Sequence, residues 1–162
     1  MTTKPIIPES THSAERAGGH WIFARLGKKV LRPGGRETTQ FLLENLSLTG
    51  ATVVEFAPGL GVTARDILGK GPARYIGVDS DADACANVRA ILPAGPHEVR
   101  NTNATDTGLE SDSVDVVIGE AMLTMQTDKH KLELMREAAR ILKPGGLYGI
   151  HELSLVPDTV ST

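Results

Sequence analysis

The chain has 162 residues, 40% of them apolar and 23% charged, with a net charge of −3, which fits one ordinary globular domain with its own core. Its polar start, MTTKPIIPESTHSAERAGG, has no apolar h-region, and no apolar run reaches the roughly 18 residues of a membrane span. A signal peptide, a membrane anchor and a broad nucleic-acid-binding surface are therefore not expected, and the cytoplasm is the expected location.

Residues 1–14 read as a flexible arm. From Arg16 to Arg36 there are six Lys/Arg and no acid, whereas residues 101–162 carry ten acids and five bases. The basic segment, 15–36, is either a solvated helical face or a surface that attracts an anionic substrate. Within it Trp21, Ile22, Arg25 and Leu26 have helical spacing over 15–32. His20 and Trp21 could close there as a lid, although ordinary packing of Trp21 is the simpler reading. RPGG (32–35) breaks the chain. ETTQFLLENLSL (37–48) predicts a helix with Phe41, Leu42 and Leu46 turned inward.

From residue 51 onward, strands and helices alternate. ATVVEFA (51–57) predicts a strand, followed by a helix around TARDILG that stops at KGP. RYIGVD (74–79) predicts the second strand, followed by the helix DADACANVRAIL (81–92). The only cysteine, Cys85, shares a helix face with Val88 and Leu92, so it reads as core packing; one cysteine allows no intrachain disulfide and is too little for a zinc site. EVRN (98–101) is a short third strand and VDVVIGE (114–120) a fourth. The helix DKHKLELMREAARIL (128–142) starts at an N-cap on Thr127 or Asp128 and ends at KPGG. LYGIHEL (147–153) is the fifth strand.

Such alternation implies an α/β fold, a Rossmann-like doubly wound parallel sheet with helices on both faces. The expected strand order is 3-2-1-4-5, with the switch point between strands 1 and 4, where ligands of such sheets bind. Glu55, Gly59, Gly61, Asp79 and Glu120 all fall at the carboxyl ends of strands near that point.

Gly59, Gly61 and Ala64 satisfy G-x-G-x-x-A, and Asp79 stands 20 residues beyond Gly59. That pattern fits a dinucleotide-binding unit in which Asp79 holds a ribose. It also fits a tight turn with no ligand. Glu55, just before the loop, separates the nucleotide readings. Two unit charges 4 Å apart interact by about 4 kcal/mol at an effective dielectric of about 20. A carboxylate here disfavours a pyrophosphate and welcomes a cation. S-adenosylmethionine fits: it carries an adenosine, an ammonium and a sulfonium, and no phosphate.

VVEFAPGLG resembles the first motif of class I S-adenosylmethionine-dependent methyltransferases, acid-x-Gly-x-Gly-x-Gly, with Ala57 in place of the first glycine. Alanine there is expected to hold φ below zero and to narrow the loop. YIGVDSD resembles the second motif, with Asp79 as ribose ligand. NATDTGLESDSVDVV (103–117) resembles the family's D-A-x-x-L-P-F-x-D-x-S-F-D-x-V, with Asn103 in place of the aspartate near the adenine amino group. ILKPGG resembles the turn into strand 5. The resemblance spans about 37–153 and is to the small-molecule branch of the methyltransferase type 11 kind. It implies that 37–162 is an S-adenosylmethionine-binding domain without a metal. The implied cofactor site comprises Glu55, Ala57, Pro58, Gly59, Gly61, Asp79, Ser80, Asn103, Ala104, Thr105 and Glu120.

Methyl transfer from a sulfonium is an in-line displacement in which alignment is the main contribution, worth about 7 to 11 kcal/mol. A general base is needed only for a protonated acceptor. Glu120, His151 and Glu152 are on the acceptor side, each with a structural alternative, and none is assigned as catalytic. Met122 and Met125 read as core or adenine-pocket residues. The expected acceptor is a small molecule, with the basic segment pointing to an anionic one. Two other functions stay open: a non-catalytic adenosine-ligand binding domain, and an NAD-dependent oxidoreductase.

Family members continue past strand 5 with a helix and a hairpin. Here the chain stops soon after that strand, leaving an edge with Leu147, Ile150, Leu153, Leu155 and Val156. The expectation is a chain cut from a longer methyltransferase, or a homodimer paired through that edge.

Overall fold

The computed structural model describes residues 34–154. The arm, the basic segment up to residue 33 with His20 and Trp21, and Leu155 and Val156 lie outside the described residues.

The described elements, in chain order, are α1 (Gly35–Glu44), β1 (Thr52–Phe56), α2 (Val62–Gly69), β2 (Arg74–Asp79), α3 (Ala82–Arg89), β3 (Glu98–Asn101), β4 (Val114–Glu120), α4 (Asp128–Ile141) and β5 (Leu142–His151). All four strand pairings are parallel, in the order β3-β2-β1-β4-β5. This is the expected sheet. Parallel strands covered on both faces have no wet side, so β1 and β4 read as near-continuous Val/Ile/Phe runs.

Successive side chains point to opposite faces, which splits the core in two. One half gathers Val54, Phe56, Ile76, Val78 and Val117 with Leu134, Ala138 and Ile141 of α4. The other gathers Val53, Tyr75, Val116 and Ile118 with Leu43, Ala64, Ile67 and Val88 of α1, α2 and α3. Cys85 is buried as expected; its thiol donates to the Asp79 carbonyl at 3.4 Å, and burial lifts its pKa above the ordinary thiol range.

Caps follow local chemistry. The Asp81 side chain accepts from the N–H groups of Asp83 and Ala84 at the start of α3, and Thr127 accepts from His130 N–H at the start of α4.

Three expectations are corrected. α1 starts earlier and ends at Glu44, and it buries Thr39 and Leu43 while Phe41 is 68% exposed. The helix packs over Gly149 of β5, where a Cβ would meet Leu46 Cδ1 at 2.8 Å and Leu42 Cδ1 at 3.1 Å. The rotation that lets Leu42 and Leu46 enter that notch turns Phe41 outward. KPGG does not separate α4 from β5: pairing resumes at Leu142, opposite Val114, and a register shift between Val114 and Val116 absorbs the turn. Met125, expected in the core or the adenine pocket, is 67% exposed, whereas Met122 is buried.

Candidate functional site

The switch point lies between β1 and β4, whose carboxyl ends open beside the glycine loop. Each end leaves its strand through an alanine in the left-handed region: Ala57 at φ 52° and Ala121 at φ 52°. Ala57 therefore does not hold φ below zero, as the sequence reading expects. Its N–H donates to the Val78 carbonyl at 2.8 Å, which carries the sheet pattern one residue past β1. An L-residue in this conformation costs about 1 to 2 kcal/mol that glycine does not. Ala57→Gly is expected to raise the melting temperature by about 2 to 4 °C, for about 1 kcal/mol gained. Thermal unfolding checks this; a fall would mean that the Ala57 methyl contributes more packing than its backbone costs.

Beyond Ala57 the loop closes on itself, with Gly61 N–H donating to the Pro58 carbonyl at 2.9 Å. Gly61, at φ 71°, is the N-cap of α2. A Cβ there would meet Ile91 Cδ1 at 3.1 Å and Val88 Cγ2 at 3.4 Å, so a side chain would also push α3 away.

Glu55 does not stand at the open mouth of this loop. It lies within β1, paired with Gly77 and Ile118, and is 4% exposed. Its Oε2 accepts the Tyr75 hydroxyl at 2.6 Å. Asp79, at the end of β2, faces the loop from the other side: its Oδ2 accepts Gly59 N–H at 3.2 Å and its Oδ1 accepts Asp81 N–H at 3.0 Å. Ser80, next along, is exposed. The β3 exit is tied to the same corner, since Thr102 N–H and the Asn101 side-chain amide both donate to the Asp79 carbonyl at 3.0 Å. Asn103 Oδ1 accepts Thr105 N–H at 3.0 Å, which turns the backbone there; Asn103 is exposed and Ala104 is buried. The structure thus places Glu55, Ala57, Pro58, Gly59, Gly61, Asp79, Ser80, Asn103, Ala104 and Thr105 around the ends of β1, β2 and β3.

Glu120 and His151 end β4 and β5 side by side, and both are buried in their side chains. Glu120 Oε1 accepts Thr39 Oγ1 at 2.6 Å and meets His151 Nδ1 at 2.8 Å; its Oε2 accepts Thr63 Oγ1 at 2.6 Å. One carboxylate therefore joins α1, the first turn of α2, β4 and β5. Glu152 is a loop carboxylate: its two oxygens accept the N–H groups of Met122, Leu123 and Thr124 and the Thr124 hydroxyl, at 2.5 to 3.3 Å. It fixes the turn that follows β4.

Sequence reasoning missed Tyr75, Thr39 and Thr63, and it missed the clamp that holds the 103–111 loop. In that clamp Glu137 of α4 accepts Thr107 N–H, Thr107 Oγ1 and two Arg140 nitrogens, at 2.6 to 2.9 Å. Arg140 donates onward to the Leu109 carbonyl at 2.8 Å. The Arg140 guanidinium pulls the Glu137 carboxyl from 4.5 down to about 2. Only the Glu137–Arg140 spacing was visible in the sequence.

The comparisons with known proteins agree on one family. Residues 53–146 match the family model of a methyltransferase domain. An uncharacterized protein of Haemophilus influenzae is 39% identical over 149 residues, covering 89% of this chain and 59% of its own length. The methyltransferase solved in complex with the Haloferax volcanii Trm112 activator is 30% identical with TM-score 0.61, covering 68% of this chain and 49% of that one. Geranyl diphosphate C-methyltransferase from Streptomyces coelicolor, solved with Mg2+, geranyl diphosphate and S-adenosyl-L-homocysteine, is 25% identical with TM-score 0.60, over 69% and 42%. This chain thus spans less than two thirds of the length of each of these relatives. Among the described residues no helix is long and apolar enough to cross a membrane. The chain belongs to the methyltransferase-domain family.

Proposed function

We propose that this domain binds S-adenosylmethionine in the crevice at the ends of β1, β2 and β4 and, in the whole protein, transfers its methyl group to a small-molecule acceptor. One observation supports this over a dinucleotide. The Gly59 N–H, a donor that a phosphate loop would turn to its ligand, is given to Asp79 Oδ2 at 3.2 Å, with the Glu55 carboxylate buried below. Negative charge beneath the loop at Glu55 disfavours a diphosphate and suits a cationic nucleoside.

The residues fit such a group. Asp79 would hold the ribose hydroxyls, the 103–105 turn would hold the adenine edge, and the loop from Ala57 to Gly61 would run alongside the methionine moiety. Bound there, the cofactor supplies an electrophilic methyl on a sulfonium whose leaving group is a neutral thioether. The chain's own work is alignment and exclusion of water. Glu120 and His151 would border the acceptor, with Glu120 held in place by the Thr39 and Thr63 hydroxyls and by its contact with His151. The basic segment favours an anionic acceptor. A cytoplasmic location, a lid role for the basic segment 15–36 and the domain bounds 37–162 belong to the same proposal.

Titration calorimetry decides the ligand class: S-adenosylhomocysteine is expected to bind and NAD to give no heat. Binding of NAD alone would return the protein to the oxidoreductases. Binding without methyl transfer to any acceptor by the whole protein would leave a non-catalytic adenosine-ligand domain. Self-pairing through the β5 edge is a further part of the proposal, supported by exposed Leu147, Ile150 and Leu153. Sedimentation is expected to give a dimer, and a monomer removes this part.

A further inference from the structure

We infer that Tyr75 is a positioning residue that keeps the Glu55 carboxylate ionised beneath the glycine loop, and that position 77 is glycine so that the Tyr75 ring can reach it. The inference rests on the reading of Glu55 as the charge that faces a cationic cofactor.

Tyr75 and Gly77 lie two apart on β2 and so share a face, and Gly77 is the register partner of Glu55. The Tyr75 ring, fully buried, runs along the strand across Gly77 to bring its hydroxyl to Glu55 Oε2 at 2.6 Å. A Cβ on Gly77 would stand 3.1 Å from that hydroxyl and 3.4 Å from Pro58 Cγ. The space is therefore shared by the tyrosine and the loop proline. At its other end Tyr75 is pinned through its N–H, which donates to His97 Nδ1 at 3.1 Å.

A carboxylate taken out of water stays ionised only when donors replace the lost hydration. A short O–H···O⁻ bond is among the strongest such donors. The hydroxyl is available at every ordinary pH, because burial and then the Glu55 charge push the Tyr75 pKa well above the usual phenol range. The other titratable groups acting on it are Asp79, at the end of β2, and Cys85, on α3. On the β4 side Glu55 faces apolar Ile118, with Glu120 two residues beyond. Asp79 and Glu120 carry the same sign as Glu55, so they favour its protonation once the hydroxyl is gone.

Two measurements on Tyr75→Phe test this, with Gly77→Ala as the second variant that displaces the hydroxyl without deleting it. The first is carbon-13 NMR titration of the Glu55 carboxyl in the ligand-free protein, which does not depend on the ligand assignment. Glu55 is expected to titrate at least about one unit higher in Tyr75→Phe than in the wild type, and to move in the same direction by less in Gly77→Ala. An unmoved titration in a folded variant overturns the inference. The second is calorimetry with S-adenosylmethionine between about pH 5 and about pH 6.5, well below the pKa of an α-amino group, about 7.7 to 8.0, so that the ligand's charge is constant. Wild-type affinity is expected to change little across this range, whereas Tyr75→Phe binds about tenfold more weakly at the acid end and recovers toward neutrality. A pH-independent loss would show that the ring matters only for packing, and overturns the inference. A wild type that binds no S-adenosylmethionine sinks the cofactor reading instead, and the NMR result still decides whether Tyr75 holds Glu55.

Discussion

Replacing Glu137 with alanine is expected to destabilise the domain by about 3 kcal/mol in urea denaturation. The substitution leaves the N–H and hydroxyl of Thr107, a residue 1% exposed, without their acceptor, and each buried orphan costs about 1 to 3 kcal/mol. Arg140 loses its partner as well, but its side chain is 39% exposed and can turn to water, which moderates the effect. The same carboxylate makes stability depend on acid. Its folded pKa, about 2, lies below the ordinary 4.5. The stabilisation is therefore complete above about 4.5, and it is lost as pH falls toward 2. Its size is on the order of 3 kcal/mol. Glu137→Gln should lose the part of the wild-type acid dependence that falls in that window. An unchanged dependence would mean that other carboxylates carry it. Either variant should also loosen the 103–111 loop, so adenosine-ligand affinity should fall with stability.

Asp79→Ala is expected to weaken S-adenosylhomocysteine binding at least about 100-fold while shifting the melting temperature far less than Glu137→Ala does. Asp79 is 9% exposed and accepts from Gly59 N–H and Asp81 N–H, so it sets the loop and the start of α3 against each other. Hydrogen bonds to a charged group contribute about 1.5 to 3 kcal/mol each. On the proposed reading, two such bonds from ribose hydroxyls are lost together with the loop's anchor. Calorimetry on the variant, with thermal unfolding beside it, separates binding from folding. Affinity within tenfold of wild type would remove Asp79 from the ribose site.

Relatives of this chain extend well past its length, and exposed Leu147, Ile150 and Leu153 lie on or just beyond the last described strand. Assays of methyl transfer are therefore best done on the whole protein.

Sequence alone was enough for the order of the strands and for the bounds of most of them. Those features are written in local patterns: β2, β3 and β4 began and ended where RYIGVD, EVRN and VDVVIGE did, because β-favouring residues there alternate with helical segments and are set off by turn residues. Motif spacing also brought Gly59 and Asp79 to one corner, since the length of a βαβ unit is set by its helix. Tertiary structure alone decided where the charges went. Glu55 looked exposed at the head of a loop and proved to be buried against Tyr75, 20 residues away. Glu120, read as an acceptor-side acid or a structural carboxylate, proved to be the meeting point of Thr39, Thr63 and His151. Ala57 took a conformation that its side chain disfavours, at the point where its N–H bonds to the neighbouring strand. Each of these depends on which strand lies beside which, and in what register. That is a property of the folded sheet, and no window of neighbouring residues contains it.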